Sequence, residues 1–165
     1  MAHKEKQLVG LPLLAARPVD IGRLLRELEL IDGVASRAKL ADEDNLKLPK
    51  TSQLMDKVIE LNQLDMTKST DRELLLDLLK LSKKAPVLHI SFNSDPSPVF
   101  IEKLMDWLRR EIHPLILITI GLQPSIGAGC IVRSTNKYFD FSLRKDLIGK
   151  SELLLSKIRA EVVKV

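Results

Sequence analysis

The chain has few aromatic residues, one cysteine, no long apolar run and no block of like charge, and each scarcity excludes something. Aromatics make up 4% of 165 residues, so the interior has to be built from Leu, Ile and Val. That favours helices packed through aliphatic side chains, with a small sheet at most. A single Cys130 excludes an internal disulfide and suits a reducing compartment. The same count excludes the paired cysteines of a CxxC metal site, and no HExxH occurs. No apolar stretch approaches the roughly 20 residues that span a bilayer, so direct membrane insertion is not expected. The net charge of +4 is spread along the chain, and nucleic-acid binding has no electrostatic footprint.

What is present is an ordinary globular composition, 45% hydrophobic and 29% charged. Leu8 to Ala16 follows Lys4 and Lys6 and reads either as a signal-like apolar stretch, interrupted by Gly10 and Pro12, or as an N-terminal arm docked on the protein. Ile21, Leu24, Leu25, Leu28 and Ile31 then recur at helical spacing. Asp32-Gly33 reads as their stop, with a short helix from Val34 to Ala41 beyond it. Asp42 to Asn45 and Pro49 mark a loop. Thr51 or Ser52 caps a helix striped by Leu54, Val58 and Leu61. Thr70 with Glu73 forms a capping box opening a Leu-rich helix that ends near Lys83-Lys84.

The pattern changes at Ala85-Pro86. Val87 to Phe92 reads as a buried strand. Ser97 and Pro98 open a helix whose buried stripe is Ile101, Leu104, Met105, Leu108 and Ile112. Leu115 to Ile120 is apolar on both faces, as a central strand would be. Gly121 to Gly129 is a turn, Ala128 to Ser134 a strand, and Tyr138 to Asp140 a short returning strand. Leu147, Leu154, Ile158 and Val162 are apolar positions of a helix from Ser142 onward. The fold class is therefore α+β: about four short helices in residues 1–84, then a β-α-β-β sheet domain with a C-terminal helix in residues 85–165.

No group of residues suggests catalysis. His89 lies within a strand and His113 beside a helix end, neither with a second ligand at metal spacing. Gly127-Ala128-Gly129 does not lead into a helix N-terminus, so the glycines read as letting one backbone approach another rather than as a phosphate cradle. Cys130 alternates with Val132 and reads as a small core residue lacking a partner base. Arg133 and Arg144 flank the hairpin, either solvated or paired with Asp140. No cofactor and no metal is expected.

The stretch from Pro124 to Arg144, PSIGAGCIVRSTNKYFDFSLR, resembles the closing motif of the F-type ATP synthase delta subunit and its mitochondrial relative, the oligomycin-sensitivity-conferring protein. Pro124, Ser125, Gly129, Arg133, Asp140, Ser142 and Arg144 match that motif without a gap. Ala128 replaces the first of two glycines, and Phe141 stands where the family keeps a glycine between Asp and Ser. The order of elements from Val87 to Ile120 also follows the family.

The resemblance implies a non-catalytic stator subunit of the peripheral stalk, cytoplasmic and held at the membrane only through its complex. Its partners would be stalk helices of the b type and the catalytic alpha subunits, in a machine for proton-driven ATP synthesis. The matched residues would then serve structure or partner binding. Two readings stand beside it: a protein-binding module or assembly adaptor that reuses the fold, as in a secretion, pilus or envelope assembly, and a small enzyme acting at the Gly121 to Gly129 loop.

Overall fold

The computed structural model describes residues 9–40, 48–143 and Ser156. The chain is α+β and divides into two compact units. One comprises the chain up to Val87 together with Pro98–Ile118; the other comprises Leu88–Ser97 and the chain from Thr119 onward.

The first unit is helical. Helix α1 (Pro18–Leu40) buries Ile21, Leu24, Leu28, Ile31 and Ala35, the stripe read from the sequence. It does not stop at Asp32-Gly33, and Val34 to Leu40 continues the same helix. A glycine inside a helix costs about 1 kcal/mol against alanine. Here the tertiary structure outweighs that cost: Ile31 and Ala35 are buried on either side, and α1 packs on α3 (Ser69–Lys83). Asp32 also accepts from the Arg72 Nε at 2.8 Å, and the Gly33 carbonyl accepts from Arg37 Nε at 3.1 Å.

Helix α2 (Gln53–Asn62) is capped by Ser52, whose hydroxyl accepts from the Met55 N–H at 3.3 Å. The same hydroxyl donates to Glu27 of α1 at 2.9 Å, so one side chain starts one helix and fixes it to another. Its buried positions are Met55, Val58 and Asn62; Leu61 is exposed and does not belong to the stripe. The expected capping box of α3 is also absent. The helix starts at Ser69, with Lys68 at the cap and no side-chain cap bond, which places Thr70 two residues past the cap position. Asp71 instead accepts from the Asp65 N–H at 2.7 Å. Arg72 is almost fully buried and also donates to the carbonyls of Met66 (2.8 Å) and Thr67 (3.0 Å).

Helix α4 (Pro98–Glu111) starts at the expected proline but buries only Met105 and Leu108; Ile112 is exposed and Ile101 and Leu104 are half-buried. Among the described residues, no helix is long and apolar enough to cross a membrane.

The sheet contains β1 (Val87–Phe92), β2 (Leu117–Leu122), β3 (Gly129–Arg133) and β4 (Tyr138–Ser142) in the order β2-β1-β3-β4. Leu117 N–H donates to Pro86 C=O and Gln123 N–H to Phe92 C=O, so β1 and β2 run parallel, joined through α4. Strand β3 is antiparallel to both β1 and β4, and the sheet is mixed. The expectation that the second strand is central is overturned: β2 lies at an edge, where only Leu117 and Ile118 are buried. Ser142, expected to start a helix, ends β4 because it pairs with Gly129. Of the expected C-terminal helix, Leu147, Leu154, Ile158 and Val162 lie outside the described residues, while Ser156 is helical and exposed.

Candidate functional site: an aromatic edge strand

The described motif residues, from Pro124 to Ser142, lie in the turn and hairpin of the second unit. Pro124 opens a single 3₁₀ turn, Pro124–Ile126, where its fixed φ and missing N–H cost nothing. Pro124 and Ser125 are exposed, and the Ser125 hydroxyl accepts from the Gln123 amide at 3.3 Å. Ile126 is buried and anchors the turn. Asn93 donates from its side-chain amide to the Gly127 carbonyl at 2.7 Å, tying the turn to the end of β1.

Gly129 is required by its surroundings. Its φ is +89°, and a β-carbon there would collide with the Phe141 carbonyl oxygen. This is the close backbone approach that the glycine pattern suggested.

Beyond Gly129 the register sorts the hairpin into two faces. Ile131 pairs with Asp140 and Arg133 with Tyr138; Cys130 pairs with Phe141 and Val132 with Phe139. Side chains alternate between faces along a strand. One face therefore carries Arg133, Tyr138, Asp140 and Ser142, the other Phe139 and Phe141 over Cys130 and Val132. The Arg133 guanidinium sits over the Tyr138 ring, 5.6 Å from its centroid. Asp140 accepts from the Ser142 N–H at 2.9 Å, which stiffens the end of β4. Arg144 lies outside the described residues, and with it one half of the expected pairing with Asp140.

On the opposite face, the rings of Phe139 and Phe141 stack with centroids 6.1 Å apart and planes 13° apart. Tyr138, Phe139 and Phe141 are all exposed, as are Leu143 after the strand and Leu122 at the end of β2. Three of the chain's six aromatic residues thus stand in solvent on one five-residue strand at the edge of the sheet. Native edge strands are commonly protected by lysine, proline or a bulge. Tyr138–Ser142 contains neither lysine nor proline. The sequence signal is the alternation Phe-Asp-Phe at 139–141, which a strand ending at Asp140 cuts short.

The reactive groups elsewhere in the unit are occupied structurally or blunted. Cys130 is half-buried, and burial pushes its thiol pKa up, away from nucleophilic thiolate. His89 lies against Gly121, whose missing side chain leaves room for the imidazole Nε2 and the Ser91 hydroxyl. In the helical unit, the His113 Nδ1 accepts from the Leu115 N–H at 3.1 Å and shapes the turn after α4. Among the described residues, no group of three His, Cys, Asp or Glu is placed to hold a metal ion. The arrangement on β4 offers apolar area and, among the described residues, a strand edge with no neighbouring strand, which is chemistry for binding a polypeptide. Compared with family models and with curated proteins, the chain matches none.

Proposed function

We propose that the chain is a non-catalytic protein-binding subunit that docks through β4, and that its complex is an F-type ATP synthase. In that complex it would act as a stator of the peripheral stalk, linking the catalytic head to the membrane sector, cytoplasmic and peripheral to the membrane. The observation that carries the binding reading is the exposed Phe139–Phe141 stack on an edge strand. Burying two phenyl rings against a partner stabilises a complex by about 1.5–3 kcal/mol each, which suits a joint that must dissociate slowly under torque. The ATP synthase assignment rests on the resemblance from Pro124 to Arg144, to which Phe139 and Phe141 belong. Stalk helices of the b type and catalytic alpha subunits are the partners it implies.

Affinity purification of the tagged chain under conditions that preserve the complex tests the assignment. Recovery of catalytic and stalk subunits supports it, and a complex free of any synthase subunit removes it. Phe141 supports a second reading, because it puts a ring where the resembling family keeps glycine. On that reading the chain is an assembly adaptor, and the same purification returns a partner outside the synthase.

A further inference from the structure

The hydrogen bonds of the hairpin fix which main-chain groups of β4 face the open edge. Ser134 N–H donates to Lys137 C=O (2.8 Å) at one end, and Leu143 N–H to Ala128 C=O (3.0 Å) at the other. Opposed residues of an antiparallel pair alternate between bonded and unbonded pairs. Cys130–Phe141 and Val132–Phe139 are therefore bonded pairs, whereas Gly129–Ser142, Ile131–Asp140 and Arg133–Tyr138 are not. The N–H and C=O groups of Tyr138, Asp140 and Ser142 consequently point away from β3. Among the described residues, no strand lies on that side.

One of these outward donors is already taken. Ser142 N–H donates to the Asp140 carboxylate at 2.9 Å. Because that N–H points out of the sheet, the carboxylate lies outside the last strand, where the carbonyl of an added strand would have to sit. An incoming strand would have to displace a charge-assisted bond and bring its own carbonyls against a negative charge. A second copy pairing antiparallel about Asp140 would use every outward residue of both strands, yet would set two carboxylates against each other. Edge strands need protection of this kind, and β4 has neither the lysine nor the proline that commonly supplies it.

We infer that Asp140 is a specificity-determining residue that seals the β4 edge against strand addition, whether by another polypeptide or by a second copy of this chain. The seal rests on the hairpin alone and is independent of the stator reading. One consequence does rest on the reading of β4 as a docking strand: the partner meets the Phe139–Phe141 rings and not the main chain of the edge.

Two measurements on the full chain test the seal. In native-state hydrogen exchange, corrected for intrinsic rates, the Ser142 amide should exchange at least ~10-fold more slowly than the Tyr138 amide, although both point outward. Equal rates would show that no acceptor holds Ser142 N–H and would overturn the inference. In sedimentation equilibrium, Asp140→Val, which removes both acceptor and charge, should self-associate at least ~10-fold more tightly than the unaltered chain. Adding Tyr138→Pro should return self-association to the unaltered value, because proline there removes an outward N–H that the pairing with β3 does not use. No gain in Asp140→Val, or a gain that survives Tyr138→Pro, would overturn the inference, the second by placing the association away from the edge. Neither measurement involves a synthase subunit, so the seal can fail while docking through the rings holds, and the reverse.

Discussion

Gly129 passes so close beneath the carbonyl oxygen of Phe141 that no β-carbon fits between them. The contact joins the start of β3 to β4, and the backbone of Gly129 is in the left-handed region besides. Gly129→Ala therefore meets both a steric clash and a strained φ. We expect it to lower stability by about 2–4 kcal/mol, read as a shift in the urea midpoint. Gly127→Ala has a positive φ but open space around it, and should cost only about 1–2 kcal/mol.

Phe139 and Phe141 act at the surface. Replacing both by Ser removes one stacked pair, worth about 0.5–1.5 kcal/mol, so the thermal midpoint should move by a few degrees at most. Partner binding should fall far more, by at least ~10-fold, as expected of aromatic anchors. Loss of stability and binding in step would place the rings in the core instead.

Arg72 and Asp32 form an unequal pair. Arg72 is buried, while Asp32 is mostly exposed and accepts only one of the guanidinium's bonds. Arg72→Met leaves the carbonyls of Met66 and Thr67 unsatisfied and should destabilise by about 2–3 kcal/mol. Asp32→Asn should cost less than about 1 kcal/mol, since exposed ion pairs contribute little. Equilibrium unfolding of the two variants under one set of conditions separates these outcomes.

Cys130 should alkylate slowly in the folded protein. Its thiol pKa is raised by burial, so at pH 7–8 less thiolate is present than on an unperturbed cysteine, and the rate with iodoacetamide should still be climbing where a free thiol has levelled off. In denaturant the rate should rise to that of a free thiol. Fast alkylation of the folded chain at neutral pH would contradict the half-buried placement.

The sequence made the alternation of elements legible because periodicity is local. Val87–Phe92 stands at its expected limits, bounded by Pro86 and by turn residues that no partner has to specify. The errors came where distant contacts decide. Gly33 stays helical because Ile31 and Ala35 are buried beside it, which no local signal records. The Thr70–Glu73 box fails because the helix begins two residues earlier than a Thr70 cap requires and leaves Thr70 inside it. The edge position of β2 depends on which strand β3 joins, and an apolar hexapeptide does not reveal that. Of the candidate site, the motif positions were readable one by one. The stacking of Phe139 on Phe141 became visible only once β4 ran on to Ser142.

The most direct test of the account is quantitative mass spectrometry of the material that copurifies with the tagged chain from its own cells, compared with the Phe139→Ser/Phe141→Ser variant. The account predicts that the unaltered chain brings down catalytic and stalk subunits of an F-type ATP synthase and that the variant, equally folded, loses most of them. Recovery of no synthase subunit by the unaltered chain would contradict the stator assignment, and equal recovery by both chains would contradict docking through β4.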